Sequence, residues 1–170
     1  MKRMLNYEDL FRRYKKEGVI VDTSILLLWF VGSYDEGQIA KFKRTRTLFT
    51  VEDYVTLCGI LRRFDKIITT PNILTEVSNL AGQMEEPMRT RQFEAFARGI
   101  MLLDEKCLPS TRIAATEEFK RFGLTDAAIS CLASAKCLTI TSDLRLYVHL
   151  QRLGLDAVNF NHIRALGWEQ

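Results

Sequence analysis

The apolar run over residues 19–30 contains one charge, Asp22, and constrains the fold more than any other stretch. Residues 19–21 form a continuous β-branched run behind Gly18, which is typical of a short strand buried on both faces of a parallel sheet. Residues 24–31 predict a helix, and residues 32–37 predict a loop. Asp22 therefore stands at the end of a buried strand, where a carboxylate must be paired, hydrogen-bonded or bound to a metal.

The same order of short strand and helix continues along the chain. Each helix is predicted where apolar residues recur at helical spacing, and four further strands are predicted at residues 67–68, 101–103, 137–141 and 157–160. Strands that alternate with helices indicate an α/β fold with a parallel sheet.

Helix boundaries are indicated by residues that cap helices or begin them. They are Asn6, Thr50 with Asp53 in a capping box, Thr70 with Pro71, Pro87, and Thr125. The helices after Asn6, Thr50, Thr70 and Pro87 follow from these residues, and further helices are predicted at residues 110–122, 126–136 and 144–153. The first helix has an apolar stripe that needs a surface to pack on, either in this domain or on a partner.

The composition indicates one compact domain and a cytoplasmic protein. The chain has 170 residues, 47% hydrophobic content and a net charge of +3, which is too weak a basic bias to identify a partner. The N-terminal residues include acids where a secretory signal requires an apolar core, and the run over residues 19–31 is too short to span a membrane. The cysteines lack metal-binding spacing and are predicted to be reduced thiols: Cys58, Cys107, Cys131 and Cys137.

Four acidic residues are predicted to meet at the carboxyl edge of the sheet. Asp22 and Asp143 directly follow predicted strands, and Asp126 lies near a helix start. Glu76 borders the apolar stripe of the helix after the second strand and is expected to point along this packed border and away from solvent. Taken singly, Asp126 and Asp143 are explained as helix N-terminal acids and Glu76 as a surface residue. Taken together, they repel one another unless a hard cation such as Mg²⁺ or Mn²⁺ binds, which indicates phosphodiester hydrolysis.

The segments around these acids resemble the PIN-domain nucleases. They are Val-Ile-Val-Asp22-Thr-Ser-Ile-Leu, Thr70-Pro-Asn-Ile-Leu-Thr-Glu76-Val, Leu-Thr-Asp126-Ala-Ala-Ile and Leu-Thr-Ile-Thr141-Ser142-Asp143. The resemblance implies a three-layer α/β/α sandwich with five parallel strands ordered 3-2-1-4-5. It also implies Mg²⁺- or Mn²⁺-dependent RNA cleavage, with Asp22, Glu76, Asp126 and Asp143 as metal ligands and a supporting hydroxyl from Thr141 or Ser142.

Small members of this family include VapC-type toxins, so a toxin paired with an antitoxin, and a possible homodimer, are further implications. Two features differ from those toxins: residues 1–18 add a first helix, and residues 32–66 form a longer helical insert between the first two acidic segments. The insert is predicted to bind a partner or the substrate.

Basic residues in the insert are candidates for RNA binding, although runs of this kind are more often exposed helix faces. They are Lys43, Arg44, Arg46, Arg62 and Arg63. Two other functions remain open. One is a non-catalytic binding module with the same fold, and the other is an aspartate-nucleophile phosphatase, which requires a second aspartate where this chain has Ser24.

Overall fold

The computed structural model describes residues 7–134 and 136–165, so the predicted cap at Asn6 lies outside the described residues. Five strands form one parallel sheet: β1 (Val19–Val21), β2 (Ile67–Thr69), β3 (Asp104–Glu105), β4 (Leu138–Thr141) and β5 (Ala157–Asn159). The order is β3-β2-β1-β4-β5, which confirms the predicted 3-2-1-4-5 topology. Strand β1 is central, with Ile20 aligned with Ile68 of β2 and Thr139 of β4.

Helices connect the strands and cover the sheet as the outer layers of a three-layer sandwich. They are α1 (Tyr7–Arg13), α2 (Thr23–Tyr34), α3 (Lys43–Arg46), α4 (Val51–Leu61), α5 (Pro71–Ala81), α6 (Met88–Ile100), α7 (Ser110–Ala114), α8 (Glu117–Ala133), α9 (Leu144–Arg152) and α10 (Phe160–Ala165). No helix within the described ranges is long and apolar enough to cross a membrane.

The main hydrophobic core joins the sheet to most of these helices, and β1 is fully buried within it. A second, smaller cluster of Ile113, Ala127 and Ala128 joins α7 to α8. Helix α1 belongs to the same core through Leu10 and Phe11. The Tyr14 hydroxyl donates a hydrogen bond of 2.8 Å to Asp156 Oδ2 just before β5. Burial and this bond raise the pKa of Tyr14 to about 12. The stripe on the first helix therefore packs on its own domain.

The capping predictions for α4 and α5 are confirmed. Thr50 Oγ1 accepts from the Asp53 N–H at 3.2 Å, and Asp53 Oδ2 accepts from the Thr50 N–H at 2.8 Å. Thr70 Oγ1 accepts from the Ile73 N–H at 3.2 Å. All four cysteines are free thiols, as predicted.

The third strand was predicted wrongly at residues 101–103. Met101 and Leu102 lie in a turn after α6 and are 83% and 72% exposed, and β3 begins at Asp104. This strand lies at the edge of the sheet and pairs with β2 alone. An edge strand needs little apolar surface, so hydrophobicity located it poorly.

The predicted helix at residues 110–122 is divided in the structure, whereas the predicted interruption before residues 126–136 is present at Gly123. The structure has the short helix α7, and α8 then runs from Glu117 through a kink at Gly123, where φ is 82°. Thr116, not Thr125, supplies the cap of α8, accepting from the Phe119 N–H at 3.3 Å. The positive φ of Gly123 separates the segment before the kink from the segment that carries Asp126.

Helix α2 continues through Gly32 to Tyr34, although residues 32–37 were predicted as a loop. Gly32 is required for packing, since a Cβ at this position would lie 2.3 Å from Cδ2 of Tyr54. The glycine therefore marks a close approach of Tyr54 from α4 to α2, and the helical insert begins after α2.

Gly32→Ala is expected to lower the free energy of unfolding by about 1–3 kcal/mol because it overpacks this contact. Urea denaturation measures the loss. In a Tyr54→Ala background the same change should be neutral or stabilising, since alanine favours a helix by about 0.5–1 kcal/mol over glycine. An equal loss in both backgrounds would contradict the role of Tyr54.

Candidate active site

Asp22 follows β1 and caps helix α2, and hydrogen bonds satisfy its buried carboxylate. Oδ1 accepts from the Ile25 N–H at 2.9 Å and from Ser24 Oγ at 2.8 Å. Oδ2 accepts from the Ser142 N–H at 2.8 Å and from the Thr141 hydroxyl. Asp22 is 6% exposed, and these four donors compensate for its burial without a cation.

Thr141 and Ser142 link the ends of β4 and β1, so both predicted hydroxyl residues lie at the site. Thr141 Oγ1 also accepts from the Asp143 N–H at 2.9 Å, while Ser142 Oγ lies 2.7 Å from Ser24 Oγ. Asp143 caps α9, and its Oδ1 accepts from the Arg145 N–H at 2.6 Å. The helix-capping role considered for Asp143 is therefore present, and it also places this carboxylate beside Thr141.

Glu76 extends from α5 and joins two other helices. Its Oε2 accepts from Thr23 Oγ1 at 2.7 Å, and its Oε1 accepts from Thr125 Oγ1 at 2.6 Å. The residue is exposed overall, so the expectation that it points away from solvent is wrong. The two threonines nevertheless hold its carboxylate between the start of α2 and the second part of α8.

Asp126 is the acid whose negative charge is not offset by hydrogen bonds from the described residues. Burial, followed by the charges of Asp22, Asp143 and Glu76, raises its pKa to about 7, while Arg145 acts in the opposite direction. Within residues 7–134 and 136–165, no hydrogen-bond donor to its carboxylate is found. The four predicted acids therefore come together at the carboxyl edge of the sheet, and the unexplained charge is that of Asp126 and not that of Asp22.

The oxygen donors at this edge of the sheet suit one kind of metal ion better than another. Among the described residues, no group of three or more aspartate, glutamate, histidine or cysteine side chains is arranged to coordinate one metal ion. Mg²⁺ commonly keeps several waters and binds through one or two carboxylates, so an enclosing cage is not required. The all-oxygen donors and the uncompensated charge at Asp126 fit a hydrated Mg²⁺ or Mn²⁺, and they do not fit a cation surrounded by protein ligands.

The predicted RNA-binding residues are distributed over two surfaces. Arg62 and Arg63 follow α4 and precede β2, so they lie toward the amino edge of the sheet, opposite the acids. Arg63 forms a salt bridge with Glu8. Residues 43–46 form α3, in which Lys43 and Arg46 are exposed and Arg44 Nε donates to Gln83 Oε1 at 2.7 Å. The structure does not bring these groups together.

Four residues at the site were missed from sequence: Thr23, Ser24 and Thr125, which bond the acids, and Arg145, whose charge acts on Asp126. A signal existed, because hydroxyl residues stand beside the acids in the Asp22 and Asp126 segments. The sequence could not tell that each hydroxyl bonds an acid, since Thr125 reaches Glu76 across 49 positions of the chain.

The fold and the site define a class, namely a parallel α/β protein with a cluster of carboxylates at the carboxyl edge of its sheet. No protein-family model, no curated protein and no solved structure matches the chain.

Proposed function

We propose that the chain is a Mg²⁺- or Mn²⁺-dependent endoribonuclease of the PIN-domain type, with Asp22, Glu76, Asp126 and Asp143 forming its active site. The observation that supports this best is the meeting of four carboxylates, each from a different segment, at one edge of the sheet. Ligands of open parallel sheets bind at this edge. Such a concentration of negative charge suits a divalent cation and a phosphodiester.

Two of the four acids are held by hydrogen bonds from the protein, and the other two have carboxylate oxygens that remain available. Hydrogen bonds fix Asp22 to the start of α2 and to the end of β4, and the two threonines hold Glu76. Asp126 and Asp143 are the carboxylates with oxygens left to hold the cation. When bound, Mg²⁺ or Mn²⁺ would lower the pKa of a water and offset charge on the phosphate. Asp22 and Thr141 would keep Asp143 in position, because Thr141 bonds both segments.

A non-catalytic binding module is the second candidate. The observation in its favour is that Asp22 and Glu76 are satisfied by protein donors and need no ion. An aspartate-nucleophile phosphatase is less well supported, since both oxygens of Asp22 accept hydrogen bonds and Ser24 donates one of them. A toxin restrained by an antitoxin, or a homodimer, remains a proposal that rests on the family resemblance.

Purified protein is expected to cleave a single-stranded RNA, and a circular RNA of the same sequence, in the presence of Mn²⁺ or Mg²⁺. EDTA should abolish cleavage, because the four carboxylates cannot hold the phosphodiester without a cation. Asp143→Asn should lower the rate by at least about 100-fold, more than the loss typical of outer-shell substitutions at metal sites. Denaturing gel electrophoresis measures the products.

The matched control is Asp65→Asn, an exposed aspartate that precedes β2 at the opposite edge, which should cleave at the parent rate. Failure of the parent to cleave either RNA with either metal would refute the nuclease. Stabilisation of the parent by Mn²⁺ without any cleavage would support the binding module instead.

A further inference from the structure

Three arginines border a cleft of about 310 Å³ beside the acidic site. Arg121 comes from α8, and Arg145 and Arg152 come from α9. All three residues are exposed, and Phe122 and His149 form part of the lining between them. The cleft therefore combines positive charge with an aromatic surface.

Phe122 holds two of the guanidinium groups in place. The Cζ atoms of Arg121 and Arg145 lie 5.2 Å and 5.8 Å from the centroid of its ring. The centroid of the His149 ring lies 4.8 Å from the centroid of the Phe122 ring. His149 is buried, and its Nε2 atom lies 3.2 Å from Glu118 Oε1. Cation–π contacts of this kind limit the freedom of both arginines while leaving their N–H groups available.

None of these three guanidiniums forms a salt bridge with a carboxylate in the part of the chain that the structure describes. Other arginines on the surface do form such pairs, including Arg13 with Asp156 and Arg89 with Glu86. Unpaired guanidiniums bind phosphate oxygens with two parallel hydrogen bonds, so this cleft suits a ligand with several phosphates.

The cleft adjoins the proposed active site directly. Arg145 is two residues beyond Asp143, and its positive charge acts on Asp126 in opposition to the charges of the other acids. Leu144 lies between Asp143 and Arg145 in the chain and lines the cleft. Its side chain is 59% exposed, which offers an apolar contact for a nucleobase. A polyanion that reaches the acids from this side meets positive charge first.

We propose that Arg121, Arg145 and Arg152 bind the phosphate backbone of single-stranded RNA and guide it into the acidic site. This inference rests on the proposed function for the choice of RNA as the ligand. It assigns substrate binding to α8 and α9, and not to the basic residues of α3 and the end of α4. Phe122 acts as a positioning residue, because it orients two arginines without needing to touch the RNA.

Binding is measured separately from cleavage by fluorescence anisotropy of an end-labelled single-stranded RNA in EDTA. Arg121→Ala/Arg152→Ala should raise the Kd at low salt at least 10-fold. Each phosphate contact on a single strand contributes about 0.7 to the slope of log K against log salt, so the slope should fall by about 1.4. Arg145 is left unchanged because it also acts on Asp126.

The matched control removes two exposed arginines of α6, Arg91→Ala/Arg98→Ala, and should keep both the Kd and the slope close to the parent values. Phe122→Leu should weaken binding by about 2- to 5-fold, as expected for the loss of an exposed cation–π contact. Circular dichroism identifies a variant that fails to fold. If the double variant fails to fold, the Kd values of Phe122→Leu, Arg121→Ala and Arg152→Ala test the proposal instead.

The outcomes separate this inference from the proposed function. If Arg121→Ala/Arg152→Ala binds RNA like the parent while the parent cleaves, the cleft is refuted and the nuclease stands. If Lys43→Ala/Arg46→Ala loses binding instead, α3 is the RNA-binding surface. If the parent does not bind RNA, the cleft is refuted, and the cleavage assay decides the nuclease independently.

Discussion

Asp126→Asn is expected to abolish metal-dependent RNA cleavage and, at the same time, to make the folded protein more stable at pH 8. Asp126 is partly buried, faces three other carboxylates and accepts no hydrogen bond within the described residues. Its charge therefore opposes folding, while under the proposed function it would hold a cation. An amide removes both the cation ligand and the repulsion, so activity and stability should move in opposite directions.

The stability gain should depend on pH. The folded-state pKa is about 7, against an ordinary value of 3.8, so above pH 7 the folded parent carries a charge that it disfavours. As the pH falls from 7 toward 4, the folded parent takes up a proton and the penalty disappears. Asp126→Asn should therefore gain about 2 kcal/mol at pH 8, reduced from the full pKa difference by solvent screening, and nothing near pH 4.

Urea denaturation in EDTA at pH 8, 6 and 4 measures this gain, and Asp65→Asn serves as the exposed control with no change. Added Mn²⁺ should stabilise the parent and not Asp126→Asn, because binding to the native state alone raises its stability. A variant that is less stable than the parent at pH 8 would contradict the uncompensated charge of Asp126.

Asp22→Asn is expected to lose RNA cleavage as well, but to destabilise the fold. The amide would keep one oxygen acceptor and place an NH₂ group at one of the two oxygen positions. If it replaces Oδ2, it faces the Ser142 N–H and the Thr141 hydroxyl, which both donate now. Buried donors left without an acceptor cost about 1–3 kcal/mol each, so a loss of roughly 2–4 kcal/mol is expected.

The control for Asp22→Asn is Asp35→Asn, at an exposed capping aspartate whose Oδ1 accepts from the Gly37 N–H at 2.9 Å. An exposed cap should lose less than about 1 kcal/mol. Thermal and urea denaturation compare the two variants. If Asp22→Asn is as stable as the parent, the hydrogen bonds around Asp22 are dispensable for folding.

These two variants distinguish the roles of two acids that look alike in sequence. Both follow the pattern of an aspartate near a helix start, and both segments carry a neighbouring threonine. Asp22 is held by donors from α2 and from the end of β4, whereas Asp126 receives repulsion from the other acids. One residue supports the fold and the other is maintained at a cost to it.

The sheet was predictable because local patterns specify it. Short runs rich in apolar or β-branched residues located β1, β2, β4 and β5, and capping residues located the starts of α4 and α5. Edge strand β3 was misplaced because it buries little surface, and α2 was cut short because Gly32 was interpreted as a helix breaker. In both cases the deciding contact comes from a distant segment, such as Tyr54 against Gly32.

The sequence by itself determined the α/β class, the central strands and the four acids that lie at their carboxyl edge, because strand and helix patterns are local and parallel strands share one direction. The tertiary structure alone decided which acid is satisfied and which is not. Hydrogen bonds to Asp22 and Glu76 come from residues up to 120 positions away. The arginine cleft beside Asp143 likewise depends on the packing of α8 against α9. Charge compensation depends on such distances in space, which a linear pattern does not contain.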